Sequence, residues 1–526
     1  MSYTRTLPFR TLSILAAATI LFTASAYPVS AQERRATTEV KEEPSKDIPI
    51  PKEEPSVTQH QITVGGKDLH YMATAGNLLI SKEDHDESLK PYHSIFYVAY
   101  TLDGADSKTR PVTFLYNGGP GSATIWLEMG SVGPMRVITD SPAPTHGAPY
   151  NVVPNEYTLL DKTDIVFIDA PGTGYSHPVG KGTIKDIAGV DQDLTAFTKF
   201  IIRYITVNHR WNSPKFLFGE SYGTTRSAGL SATLNEAGVQ LNGIVLLSSI
   251  LNYNARSAGL DNNYLTDLPT FAAIAWYHNK IPNKPADVLT FVQQAREFAA
   301  GPYAAALYAG NSLSDADADK IAQQLSGFIG LSPAYIKGAN LRISATRFRK
   351  ELLRDKNIIL GRYDGRFEGP DSDAAGEYPS FDPSDTGING VYIGAFHEYL
   401  EKELKYTPNE TYNDSMVGND PWDWKHRAAG GGRGFGGQQT MPYVAGDLGD
   451  TIRKNPHLKV FAANGVYDLA TPFFATEWEL AHMGTSRALR DNITWGYYPS
   501  GHMVYLNVDA LKSFRHDLGK FYDSAK

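Results

Sequence analysis

Lys215-Phe216-Leu217-Phe218-Gly219-Glu220-Ser221-Tyr222-Gly223 is the stretch that decides how this chain folds. An apolar run ends at a glycine, a serine stands at the centre of Gly-x-Ser-x-Gly, and a segment rich in Thr, Ala and Leu follows. The pattern is that of a strand entering a sharp turn and leaving as a helix, with the serine hydroxyl presented at the turn. Glycines flank the serine because the turn brings backbone against backbone and leaves no room for a Cβ. A lone pentapeptide of this kind also arises in ordinary loops, so its weight comes from its surroundings.

Those surroundings alternate strand and helix. Val112–Tyr116, Ile165–Ile168, Phe216–Phe218 and Ile244–Leu247 are compact β-rich runs without strict alternation, as strands buried on both faces should be. A helix-length segment, Val190 to His209, separates the second from the third. A mostly parallel, doubly wound α/β sheet follows from this rhythm. Before it, short strands at Gln61–Val64, His70–Ala73, Leu78–Ile80 and Ser94–Leu102 predict an antiparallel beginning, with Gly65-Gly66 as a hairpin turn. From about Leu251 to Tyr443 helical signals take over, and the sheet resumes at Val460–Asn464 and Ile493–Tyr497. The expected division is therefore a first sheet segment, 59–252, a largely helical insertion or lid, 253–443, and a second sheet segment, 444–526. A glycine cluster at Gly430–Gly437 predicts a flexible loop near the end of the insertion.

The N-terminus has the form of an export signal. Arg5 and Arg10 precede a short apolar run, Ile14 to Ala24, and small residues follow at Ala24-Ser25-Ala26 and Ser30-Ala31. Residues 1–31 are expected to be a signal peptide and 32–58, where charge alternates with proline, a disordered leader. Bacterial export, to the periplasm or the medium, is the expected location, with no stable membrane anchor because the apolar run is too short. The chain has no cysteine, which excludes disulfides, thiolate metal sites and a cysteine nucleophile. A net charge of −8 with scattered basic residues gives no nucleic-acid footprint.

A serine hydroxyl needs a base within hydrogen-bond reach, and the base needs an acid to orient it. His502, in Ser500-Gly501-His502-Met503 just after a late strand, has the best context of the 14 histidines. Asp468 lies on the loop after the preceding strand. Ser, Asp, His is the chain order of the α/β-hydrolase triad. The oxyanion of an acyl-transfer intermediate needs two amide donors. Tyr222 N–H would be one, and Asn117-Gly118-Gly119-Pro120-Gly121 would supply the other from Gly118, Gly119 or Gly121, since proline has no N–H.

Taken together, Asn117-Gly118-Gly119-Pro120-Gly121, Gly219-Glu220-Ser221-Tyr222-Gly223, the Asp468 loop and Gly501-His502-Met503-Val504 resemble the serine carboxypeptidase family, from about Ser94 to Phe521. The resemblance implies an α/β-hydrolase fold, release of single residues from peptide C-termini, peptides as partners, and no metal or organic cofactor. It implies Gly119 as the donor beside Tyr222, and Asn117 and Glu220, with Glu128 beside Glu220, as the binding site for the substrate's terminal carboxylate. Carboxyls facing a carboxylate must share protons, so binding is expected to favour acidic pH. Leu115 and Ser122 stand where family members often carry tryptophan and cysteine. That departure leaves room for an esterase or acyltransferase with the same triad; a silent exported binding protein is the remaining alternative.

Other motifs carry less. Asp315-x-Asp317-x-Asp319 lacks the glycine and glutamate of a calcium loop, so Ser314 is better taken as a helix cap. Ser332-Pro333 has the form of a helix start. Trp422 and Trp424 are expected to pack, or to wall a side-chain pocket.

Overall fold

The computed structural model describes residues 47–84, 87–416, 421–428 and 437–525. The expected signal peptide, the leader as far as residue 46, and glycines 430–436 lie outside the described residues. The strands of the main sheet, numbered in chain order, are β1 (Ser56–Val64), β2 (Lys67–Glu83), β3 (Leu89–Leu102), β4 (Val112–Tyr116), β5 (Asp164–Ile168), β6 (Lys215–Glu220), β7 (Gly243–Leu247), β8 (Lys459–Gly465) and β9 (Ile493–Tyr498). With a two-residue strand at His177–Pro178 beside β3 they form one ten-stranded sheet, ordered β1-β2-β3-β5-β4-β6-β7-β8-β9.

The first part is an antiparallel meander. Val64 pairs with Lys67 across Gly65-Gly66, and both glycines take positive φ, the conformation a two-residue hairpin with the sheet's twist demands. From β5 onward every pairing is parallel: β5 with β4, β4 with β6, β6 with β7, β7 with β8 and β8 with β9. Both faces are covered, which is why the parallel strands read as continuous apolar runs. On β4, Phe114 and Tyr116 join the core of one face and Leu115 the core of the other.

The helices against the sheet are α1 (Val190–Val207), α2 (Tyr222–Glu236), α3 (Asn389–Lys402), α4 (Ala445–Lys454) and α5 (Val508–Ser524). Helices α1, α2 and α4 pack on one face through Phe197, Phe200, Leu230 and Leu448, and α3 and α5 on the other through Tyr392, Tyr399, Phe514 and Tyr522. Each such side chain contributes about 1.5–3 kcal/mol relative to its exposed state. This is the α/β-hydrolase arrangement.

Between β7 and β8 the helices Asn262–Tyr277, Val288–Phe298, Asp315–Ile329 and Ala345–Glu351 build a third core of their own. Ser314 and Ser332 cap two of the helices there, accepting from Asp317 N and Tyr335 N. Two expectations need correction. Helix α3, inside the 253–443 segment, is no lid: its Val391, Tyr392, Phe396 and Tyr399 fill the sheet's own core beside α5. The leader also ends earlier than residue 58. Ile48 and Gly180 exchange backbone hydrogen bonds, Glu53 takes a two-pronged ion pair from Arg203 and accepts from Leu79 N, and β1 begins at Ser56. Pairing with β2 and Arg203 supplies partners that a proline-rich charged segment lacks by itself.

One buried ion pair ties this frame together. Arg226 of α2 is fully buried, donates from Nε and Nη2 to Asp193 of α1 at 2.7 and 3.1 Å, and from Nη1 to the Asn117 carbonyl at 2.7 Å. Removing one partner of a buried pair strands the other charge, at a cost of about 3–5 kcal/mol. Asp193→Ala should therefore lower urea-denaturation stability by that amount, whereas Asp193→Leu with Arg226→Met should recover much of it. Equal losses in both variants would contradict this account of the pair.

Candidate active site

Strand β6 ends at Glu220, Ser221 takes φ 60°, ψ −128°, and α2 begins at Tyr222. A positive φ at a non-glycine residue is strained, and here the frame on both sides holds it: Ser221 N donates to Leu247 O on β7 at 3.0 Å. At Gly219 an added Cβ would come 2.0 Å from Gly223 O, so the turn closes only with glycine there.

Asp468 and His502 occupy loops after β8 and β9, and both are buried. His502 Nδ1 and Asp468 Oδ2 are 2.8 Å apart. Asp468 also accepts from Ala470 N, Thr471 N and Thr471 Oγ1 at 2.8, 3.0 and 2.7 Å. Burial works against its charge, but the imidazole and these donors overcome it and hold the carboxyl below its ordinary value. Burial likewise disfavours the His502 imidazolium, yet Asp468 first and Glu220 second bring its pKa above the ordinary value. With Nδ1 taken by Asp468, Nε2 is the nitrogen left for a proton transfer. His502 is further fixed by its N–H to Tyr363 O at 2.6 Å, its carbonyl to Ser248 Oγ at 2.6 Å, and the Tyr363 ring 5.2 Å away.

Ser221 and His502 line one cavity of about 530 Å³, together with Asn117, Gly119, Glu220 and Tyr222. Among the described residues the Ser221 side chain makes no hydrogen bond. Such bonds are commonly loose before substrate arrives and tighten in the complex. The glycine loop lies against the elbow: a Cβ on Gly118 would sit 2.4 Å from Tyr222 N and 2.8 Å from Gly223 N. Gly119 has φ 99°, which also favours glycine. As the first residue of α2, Tyr222 has an N–H without an acceptor inside the helix, and the residue lines the cavity. Gly118 O accepts from Ser122 N at 3.1 Å, a bond that closes the glycine loop on itself.

Glu220 is buried, and its Oε2 accepts from Tyr505 OH at 2.8 Å, with the Asn117 side chain also bonded to it. Burial is the largest influence on this carboxyl and pushes it up to about 7, against the opposing pull of His502. Asn117 Oδ1 meanwhile accepts from Leu127 N at 3.0 Å, which leaves its amide end to donate. Glu128 is not beside Glu220, contrary to the sequence expectation, and does not line the cavity. Its carboxylate accepts from Tyr100 OH at 2.7 Å and sits in a buried cluster with Asp169 and Tyr399. The segment 128–132 turns as a π-helix that carries Glu128 away from the elbow, toward β3.

The sequence did not reveal Tyr505, Thr471, Trp126 or Tyr363. Tyr505 and Thr471 each stand three residues past a triad member, and a search for donors at that spacing would have found them. Trp126 and Tyr363 line the cavity from the short helix Ile125–Leu127 and from the insertion. Leu115 lies in the sheet core.

The serine carboxypeptidase family model matches residues 85–353, about half the chain. The chain belongs to the serine carboxypeptidase family. Among curated proteins, 134 residues are 30% identical to the pheromone-processing carboxypeptidase KEX1 of Saccharomyces cerevisiae, covering 25% of this chain and 17% of the yeast protein. Another 131 residues are 30% identical to the human retinoid-inducible serine carboxypeptidase, covering 24% and 25%. The matching stretch thus spans less than a third of either relative. A crystal structure of the yeast prohormone-processing carboxypeptidase superposes with a TM-score of 0.51 at 14% identity, over 86% of this chain and 91% of that one. That likeness shows the α/β-hydrolase fold this serine carboxypeptidase family member adopts.

Gly118→Ala tests the closeness of the two donor segments. Its Cβ would force the glycine loop off Tyr222 N, and kcat on an activated ester should fall about 10²-fold, the order expected for losing one oxyanion donor. An unchanged kcat would mean that the loop takes no part.

Proposed function

We propose that this protein is a serine-type carboxypeptidase that releases C-terminal residues through an acyl-enzyme. Ser221 Oγ attacks the scissile carbonyl carbon while His502 Nε2 takes the hydroxyl proton and Asp468 steadies the imidazolium. The carbonyl's electron pair moves onto oxygen, where the N–H groups of Gly119 and Tyr222 receive it. His502 then returns the proton to the leaving nitrogen as the C–N bond breaks. Water repeats the sequence on the ester, with His502 again as base.

The exopeptidase reading rests on Glu220. A buried carboxyl one residue before the nucleophile, bonded by Asn117 and Tyr505, is suited to a substrate's terminal carboxylate. Below about pH 7 Glu220 holds its proton and donates to that carboxylate; above it, the two anions repel. Acid preference then follows from the burial of this single group, without Glu128. His502 shares in it, because neutral Glu220 no longer raises the imidazole's pKa and leaves more of it free to act as base.

Residues 1–31 are read as an export signal, which would place the enzyme in the periplasm or outside the cell, and the parts of 253–443 outside α3 as the segment that roofs the cavity. Among the described residues no helix is long and apolar enough to cross a membrane.

Two measurements test the proposal. Ser221→Ala should lower kcat by roughly 10⁴- to 10⁶-fold with the fold intact by circular dichroism; near-normal turnover would remove Ser221 from its role. For a blocked dipeptide, KM should rise as pH passes about 7 in the wild type and stay flat in Glu220→Gln, whose amide donates at any pH. If the amidated dipeptide were cleaved as well as the free acid, the terminal-carboxylate reading would fail.

A further inference from the structure

On the cavity wall away from Glu220 stand Ile250, Tyr253 and Trp424. Trp424 packs 4.9 Å from the Tyr253 ring and 6.3 Å from Tyr222, and Trp422 meets Tyr222 edge-on at 5.6 Å. Both tryptophans therefore bear on the residue whose N–H is the proposed oxyanion donor. They belong to the described stretch 421–428 of the insertion, where Trp424 packs on a core of the sheet and polar contacts hold the chain beside it.

The holding group is His426. Its side chain is almost completely buried, with Nδ1 2.7 Å from Asp191 Oδ1 of α1 and Nε2 2.6 Å from Asp447 Oδ2 of α4. Both ring nitrogens face carboxylate oxygens, so both must donate, and only the imidazolium has two N–H groups. Beside it, Arg427 N donates to both Asp191 oxygens at 3.3 and 3.0 Å. Asp423 O accepts from Val190 N, and Asp423 N donates to Ala188 O, each at 2.9 Å. Gln439 pairs with His426 and accepts from Tyr443 N at 2.8 Å. Among the described residues, the charged and titratable groups set beside the ring by these contacts and by the neighbouring chain are Asp191, Asp447, Asp423, Arg427 and Tyr443.

We propose that His426, clamped between Asp191 and Asp447, is a positioning residue that fixes Trp422 and Trp424 against Tyr222, and that the wall of Trp424, Tyr253 and Ile250 receives a large apolar or aromatic side chain on the acyl side of the scissile bond. The inference rests on the acyl-enzyme reading only for which substrate group meets the wall. Burial opposes the imidazolium, but the two carboxylates overcome it and carry the pKa up to about 9. Raised above its unfolded value, it makes the clamp complete below about 6.5 and weakens it as pH rises through about 9.

The test compares esters that lack a free C-terminal carboxylate and bear either phenylalanine or alanine on the acyl side. At pH 7, His426→Gln, which cannot span both carboxylates, should raise KM for the phenylalanine ester about tenfold. KM for the alanine ester and kcat for both should stay within about threefold. Asp191→Asn, on the more exposed side of the clamp, should show the same pattern more weakly, which guards against a glutamine variant that fails to fold. Independently of turnover, tryptophan fluorescence of the wild type should change near pH 9, and the change should vanish in both His426→Gln and Trp424→Phe. Equal KM losses for both esters, no loss for either, or a fluorescence transition that persists in His426→Gln would overturn the proposal. If neither ester is hydrolysed by the wild type, the acyl-enzyme reading fails, and the fluorescence comparison still decides the clamp.

Discussion

The guanidinium of Arg226 sits in a slot with no access to water, stacked over Phe197 at 4.3 Å and near the rings of Tyr116 and Tyr222. A cation in such a place needs acceptors; Arg226 rides on α2 and finds them in Asp193 on α1 and the carbonyl of Asn117. Those pieces carry the nucleophile turn and the glycine loop. Satisfying one buried charge therefore ties the Ser221 turn to the glycine loop that begins at Asn117. The Gly118 backbone pressed on Tyr222 N is the visible result.

The rest of the site follows from sheet order. Strands β6, β8 and β9 are near neighbours at the carboxyl ends of the parallel half, so Ser221 and His502 line one cavity and His502 bonds Asp468, although hundreds of positions separate the first from the others. The insertion contributes the opposite side of the cavity, with Arg362, Tyr363, Ile388 and Trp424 facing the loops of the sheet. Long-range pairings join the two sides, among them His426 with its carboxylates, His502 N with Tyr363 O and Leu469 N with Arg362 O.

Much of this was legible because local pattern and global fold agree. The parallel strands are continuous apolar runs, the elbow is a five-residue signature, and the Asp468 and His502 loops come at the right intervals. Glu128 was misassigned because spacing along the chain says nothing about a π-helical turn that redirects the side chain toward Tyr100. The leader was drawn too long because proline and charge lower the local tendency to order, while two of the partners that order residues 47–58, Gly180 and Arg203, lie more than 100 residues away. Tyr505 was missed for a similar reason: a tyrosine in a loop looks ordinary until Glu220 is found at its hydroxyl.

The central claim is that one alcohol, and no other, is made nucleophilic by His502. Reaction with a fluorophosphonate followed by peptide mass mapping addresses it most directly. A single adduct on Ser221, forming faster as pH rises and His502 sheds its proton, and absent after His502→Ala, is the result expected. No adduct, an adduct on another serine, or unchanged labelling without His502 would contradict the account.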